Sequence, residues 1–133
     1  MNLLVGFLLA LVAEVACADS RNLDVKDLQG FWQSNLPTTA GEVDELEFYP
    51  DGHVRFLRTF KDNTKQEFMS QSASRVNDLE IVELSNNGAL RYKLVLAGWL
   101  TARTKKLFGT MFMYEPNGHL FNGLPVSFRQ EIR

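Results

Sequence analysis

The sequence predicts an all-β protein, an antiparallel up-and-down barrel of about eight strands that follows a cleaved signal peptide. Three observations predict it. After residue 18, Phe, Tyr, Trp, Val and Thr are plentiful and Ala is scarce, a composition suited to pleated, half-buried surfaces. Apolar and polar residues alternate with period two in several runs. Between these runs stand tight-turn signals, Pro50-Asp51-Gly52, Lys61-Asp62-Asn63, Asn86-Asn87-Gly88 and Pro116-Asn117-Gly118, so consecutive strands join as hairpins. An open meander would expose two edges, and closing it into a barrel removes them.

The first 18 residues are set apart. Leu3 to Ala13 are uncharged and nearly all apolar; about eleven residues fall short of the ~20 that a helix needs to cross a bilayer, so no transmembrane span is expected. Ala16-Cys17-Ala18 places small residues at the first and third positions of a signal-peptidase site, and the segment reads as an export signal cleaved after Ala18. A lipid anchor on Cys17 is not expected, because Glu14 occupies the position three before it, where a lipoprotein signal carries an aliphatic residue. Residues 19–133 then form one domain without cysteine, held by its core alone. The expected location is secreted or periplasmic.

Along the mature chain, Leu23, Val25 and Leu28, with Ser20 as a cap candidate, suggest a short helical turn. Strands are expected near 29–35, 43–50, 53–60, 64–72, 76–84, 89–97, 105–115 and 119–131. In the second, Leu46 and Phe48 alternate with Glu45 and Glu47. In the third, Val54, Phe56, Arg58 and Phe60 share a face. Leu90, Tyr92, Leu94 and Leu96 do so in the sixth, and Phe108, Thr110, Phe112 and Tyr114 in the seventh. Residues 64–75 also fit helical spacing at Phe68, Ser72 and Arg75, and strand is preferred there. Phe48-Tyr49-Pro50-Asp51-Gly52-His53 echoes Met113-Tyr114-Glu115-Pro116-Asn117-Gly118-His119, which reads as one favoured hairpin turn used twice.

Gly30-Phe31-Trp32 opens the first long strand. It resembles the Gly-x-Trp signature of lipocalins and related calycin barrels. The resemblance implies a close chain approach at Gly30, a barrel end plugged by Trp32, and a basic residue of the last strand, Arg129, packed over that ring. It also implies a binding protein that takes a small apolar or amphiphilic ligand inside the barrel.

The composition narrows the alternatives. With 14 basic and 16 acidic residues and a net charge of −2, the chain lacks the basic excess expected of a nucleic-acid binder. No Gly-x-Ser-x-Gly elbow or phosphate-cradling glycine loop occurs. The mature chain has no cysteine nucleophile, and no enzyme or cofactor is implied. The two histidines, His53 and His119, each follow a turn glycine and supply too few ligands for a metal. Eight strands enclose an interior that side chains fill or that holds one small ligand. The expected lining is Phe56, Arg58, Phe68, Tyr92, Phe112 and Tyr114. Arg58 on an apolar face must meet a carboxylate, sit at the mouth or face an anionic ligand.

Charge is unevenly placed. Glu42, Asp44, Glu45, Glu47 and Asp51 form an acidic block; Arg91, Lys93, Arg103, Lys105 and Lys106 form a basic one with no acid between Glu83 and Glu115. An alternative function follows: a periplasmic inhibitor or immunity protein whose acidic 42–51 loop, with Glu42, Asp44 and Glu45, enters a cationic cleft of a protein partner while Trp99 anchors the contact.

Overall fold

The structure, a computed structural model, describes residues 21–70 and 73–131. The expected export signal, Cys17 and the Ser20 cap lie outside these residues. The described chain is all-β apart from one helical turn. Its elements are β1 (Arg21–Asn22), α1 (Val25–Leu28), β2 (Gly30–Ser34), β3 (Val43–Phe48), β4 (Val54–Thr59), β5 (Lys65–Ser70), β6 (Ala73–Val76), β7 (Leu79–Asn86), β8 (Ala89–Leu100), β9 (Lys105–Tyr114) and β10 (Leu120–Glu131). Nine strands pair antiparallel in the order β5-β4-β3-β2-β10-β9-β8-β7-β6, and β1 adds to the end of β8. The first long strand thus pairs with the last, Trp32 opposite Gln130 and Ser34 opposite Phe128. The barrel is nearly closed, with its seam between β5 and the β6–β7 hairpin.

Two strands expected at 64–72 and 76–84 are three. Asn77 and Asp78 both take positive φ, +48° and +65°, and turn the chain between Val76 and Leu79. Such a pair matches the twist of flanking strands, and Asn and Asp tolerate that region. The favoured hairpin turn occurs three times. Tyr49 N donates to His53 O, Phe60 N to Thr64 O and Glu115 N to His119 O, at 2.8–2.9 Å. In each turn the third loop residue, Gly52, Asn63 or Gly118, has φ between 68° and 94°. In each the middle residue, Asp51, Asp62 or Asn117, accepts from the backbone N–H two residues on.

The long staves send alternate side chains inward. Leu46, Val54, Phe56, Val82, Leu84, Leu94, Leu96, Leu107, Met111 and Phe128 are fully buried in one cluster. One end is shut by the N-terminal segment. Asp24 N donates to the Asp27 carboxylate, 3.0 Å, at the start of α1. Leu28 O then accepts the Trp32 indole N–H at 2.7 Å, and Trp32 is 1% exposed. Leu23 lies over Gly98, where a Cβ would come within 2.8 Å of the leucine side chain. Gly30, at φ +112°, leads into Trp32. Arg129 does not cover the ring: it alternates with inward Phe128, is exposed, and stands opposite Gln33 and Lys106. The backbone carbonyl of Leu28 satisfies the indole instead.

The same end holds Glu80, buried beside Arg75 at 3.6 Å. Burial raises its carboxyl pKa above the ordinary value, and the Arg75 charge offsets only part of the rise. Among the described residues no helix is long and apolar enough to cross a membrane.

Trp32→Ala should cost about 3–5 kcal/mol in urea unfolding, since it empties the barrel end. Trp32→Phe should cost about 1 kcal/mol more than its lost area alone, for the hydrogen bond to Leu28 O. Glu80 binds its proton more tightly folded than unfolded, so its contribution to stability is present below the ordinary carboxylate pKa and is lost as pH rises through the raised value. Glu80→Gln should therefore melt above the wild type at neutral pH, and the two melting curves should converge below about pH 4.

Candidate functional site

The end opposite Trp32 is built from β3, β4, β8, β9 and the 35–42 loop. Arg58, third inward residue of β4 after Val54 and Phe56, is only 2% exposed. Its Nε and Nη2 donate to the two carboxylate oxygens of Asp44 at 2.8 and 2.9 Å. Its Nη1 lies 2.8 Å from Glu42 Oε2. The guanidinium also stands over the rings of Phe56 and Tyr92, 5.7 and 5.3 Å from their centroids, and Nη2 approaches Met111 Sδ at 3.6 Å. Burial by itself lowers the Arg58 pKa, but the hydrogen bonds and charge of Asp44, with smaller contributions from Tyr92 and Glu42, outweigh it and the net shift is upward. One cation and two carboxylates leave the cluster a net −1, a poor receptor for an anion.

Beneath Arg58, Phe56, Phe68 and Tyr92 pack as a trio. Phe68 and Tyr92 meet edge to face at 5.1 Å, and Phe56 lies 5.5 Å from Tyr92 and 6.3 Å from Phe68. Phe68 stands on β5 and Tyr92 on β8, so the trio bridges the seam with side chains where backbone pairing stops. Four of the six expected lining residues, Phe56, Arg58, Phe68 and Tyr92, therefore come together, but they fill the interior.

Phe112 and Tyr114 are on the outer face. Leu94 and Leu96 of β8 point inward and pair with Met111 and Gly109; residues directly opposite share a face. Leu107 and Met111 are accordingly the buried set of β9, while Phe108 is 48% exposed. Both faces of this strand are apolar, so alternation alone does not choose between them.

The acidic 42–51 segment is a strand and a hairpin, not a loop. Asp44, 2% exposed, is inward like Leu46 and Phe48. Glu42 turns to Arg58. Glu45 and Glu47 face outward, and Glu47 pairs with Arg55 at 3.6 Å and accepts from the Tyr49 hydroxyl. Trp99 lies on the outer face of β8, with β2, β10 and β9 between it and β3, so it shares no surface with these acids. His53 and His119 sit in hairpins at opposite ends of the barrel, and no cluster of potential metal ligands occurs among the described residues.

Above the Arg58–Asp44 pair is a cavity of about 370 Å³. Met111, Leu124 and Val126 form an apolar wall, Leu36 and Pro37 of the 35–42 loop the opposite one, and Asp44, Ser34 and Ser127 the polar floor. The loop is held in place. Asn35 N donates to Ser127 O, Thr38 N to Glu42 O, and Glu42 N to the Thr38 hydroxyl, at 2.9–3.1 Å. Ser34 Oγ accepts from Asp44 N, which fixes the strand carrying the carboxylate. Sequence reasoning missed this cavity. The inward parity of Asp44 was readable from Leu46 and Phe48; the fold of the loop over β9 and β10 carries no local signal. Each polar group of the floor has a partner: the Asp44 carboxylate accepts from Arg58, Ser34 Oγ from Asp44 N and Ser127 Oγ from the Asn35 side chain. Apolar walls over a few polar groups are the usual make-up of a small-molecule pocket. Comparison with protein-family models, with curated proteins and with solved structures returns no match.

Arg58→Met should destabilise the fold by about 3–5 kcal/mol in urea, because it strands the buried Asp44 carboxylate. The double change Arg58→Met with Asp44→Leu should recover most of that loss. A loss below about 1 kcal/mol for the single change would place the pair among weak surface bridges.

Proposed function

We propose that the chain is an exported, non-enzymatic binding protein, lipocalin-like in design, that takes one small apolar or amphiphilic molecule. The ligand sits at the Arg58 mouth and not in the middle of the barrel, because the middle is occupied by Leu46, Leu94, Leu96 and their neighbours. The observation that carries this reading is the cavity of about 370 Å³ between the pinned 35–42 loop and the β9–β10 wall. Its size falls within the range of small-ligand sites, and its apolar walls over a few polar groups match how such sites are built. The floor is net negative, so an uncharged or cationic head group suits it better than an anionic one. The alternative, an inhibitor or immunity protein acting through the acidic segment, has less to work with: Asp44 is buried and Glu42 is committed to Arg58.

Native mass spectrometry of protein purified from its own host should show a retained small molecule. Leu124→Trp, which fills the cavity from its half-buried wall, should abolish the extra mass and weaken binding of an uncharged fluorescent amphiphile at least tenfold, with the circular dichroism of the fold kept. Equal binding by wild type and Leu124→Trp would move the ligand elsewhere or remove it. A retained protein, lost when Glu42 and Glu45 are replaced by Lys, would favour the inhibitor reading.

A further inference from the structure

The outer wall formed by β8, β9 and β10 carries a second feature that the mouth cavity does not use. Register places side chains there in rows across the strands. Trp99 stands opposite Lys106, and Lys106 opposite Arg129. One step along, Ala97 meets Phe108 and Phe108 meets Ser127; further on, Lys93 meets Phe112 and Phe112 meets Gly123. Trp99 is 41% and Phe108 48% exposed. Beside the first row is a cleft of about 510 Å³, lined by Arg103, Lys105, Lys106 and Arg129 together with Thr101 and Thr104 of the β8–β9 hairpin, and by no carboxylate. From β8 through the 101–104 hairpin to the end of β9 the chain has five cations and no acid.

We propose that this wall docks the protein onto an anionic lipid surface. The pattern fits that partner for three reasons. Large apolar side chains interleaved with Lys and Arg, and no acid in the rows, combine burial in the head-group region with attraction to anionic lipids. Trp at the border of such a patch is suited to the interface, where one edge of the ring is apolar and the other wet. A second copy of the chain on this face would set cation against cation, which costs free energy. The mouth cavity adjoins this wall at Asn35 and Ser127, but Lys106, Phe108 and Arg129 do not line it.

The test is co-sedimentation of the protein with vesicles of mixed phosphatidylglycerol and phosphatidylcholine, against vesicles of phosphatidylcholine alone. Binding is expected to the first, to weaken with added salt, and to be absent from the second. Replacing Lys106 and Arg129 with Gln should reduce vesicle affinity roughly thirtyfold, from the usual contribution of a basic residue near an anionic surface. Phe108→Ser should also weaken it, and the positions are exposed, so circular dichroism should stay unchanged for both variants. Equal binding to the two vesicle types, or wild-type binding by the double variant, would overturn the proposal. Complete displacement by inorganic phosphate with no effect of Phe108→Ser would make the cleft a soluble-anion site and overturn it too. So would tighter binding to an acidic polypeptide than to the anionic vesicles.

Discussion

Everything in this molecule follows from the pairing of β2 with β10. That ladder joins the first long strand to the last and turns a meander into a near-closed ring. Once the ring exists, register dictates which side chain of every stave points inward, because a slip of one residue would reverse the whole face. A barrel of this circumference leaves room for side chains and little else. The core is therefore a stack: Trp32 with Leu28 and Leu23 at one end, the aliphatic layer of Leu46, Leu94 and Leu96 in the middle, and the Phe56–Phe68–Tyr92 trio beneath Arg58 at the other. Where pairing lapses, between β5 and the β6–β7 hairpin, that trio spans the seam. Charged side chains, Lys65 and Glu67 on β5 and Arg75 on β6, occupy exposed positions of the two edge strands, and charge on an edge discourages pairing with another chain.

Buried charge is handled differently at Arg58 and at Glu80. Arg58 is placed where two carboxylates from the neighbouring strand region converge on it, Nε and Nη2 donating to Asp44 and Nη1 lying against Glu42. Its charge is retained and the aromatic faces of Phe56 and Tyr92 add to the attraction. Glu80 has one partner, Arg75, at a longer distance, and Arg75 also donates to Leu23 O. Burial then dominates, and the proton is held more tightly. A strongly paired charge forms a rigid floor for the mouth; a weakly paired one makes the capped end sensitive to pH.

The sequence made the architecture legible and the site only partly so. Fold class, the strand regions apart from the split at Asn77-Asp78, and the reused hairpin turn all rest on local chemistry: alternation, Pro to set φ, Gly or Asn for positive φ. Trp32 as the plug was readable from Gly30-Phe31-Trp32, but the Arg129 partner was not, since one residue of register moves it to the outside. Phe112 and Tyr114 failed for the same reason on a strand whose two faces are equally apolar. The acidic block misled because a run of carboxylates suggests solvent, yet Asp44 keeps strict step with Leu46 and Phe48. Its partner, Arg58, keeps step with Phe56. Read together, those two parities already imply a buried pair across adjacent strands. The mouth cavity was out of reach, because it depends on how the 35–42 loop folds across β9 and β10.

The near-neutral net charge is the sum of two unlike halves. On β3 and its flanks, part of the acidic charge is turned inward and cancelled against Arg58, and Glu47 is matched by Arg55. β8 and β9 themselves carry no acid, and although Glu83 of β7 stands opposite Lys93, no carboxylate lines the cleft of Arg103, Lys105, Lys106 and Arg129. Cancelling charge inside one half while leaving it exposed in the other gives the barrel a polarity that its composition conceals. The cationic wall is also the wall with exposed Trp99 and Phe108. Apolar side chains and uncompensated positive charge together stabilise contact with one kind of surface, anionic and apolar in depth, and with few others. A soluble anion would use the charge and ignore the aromatics; an ordinary solvated face would have interspersed Asp and Glu among the cations.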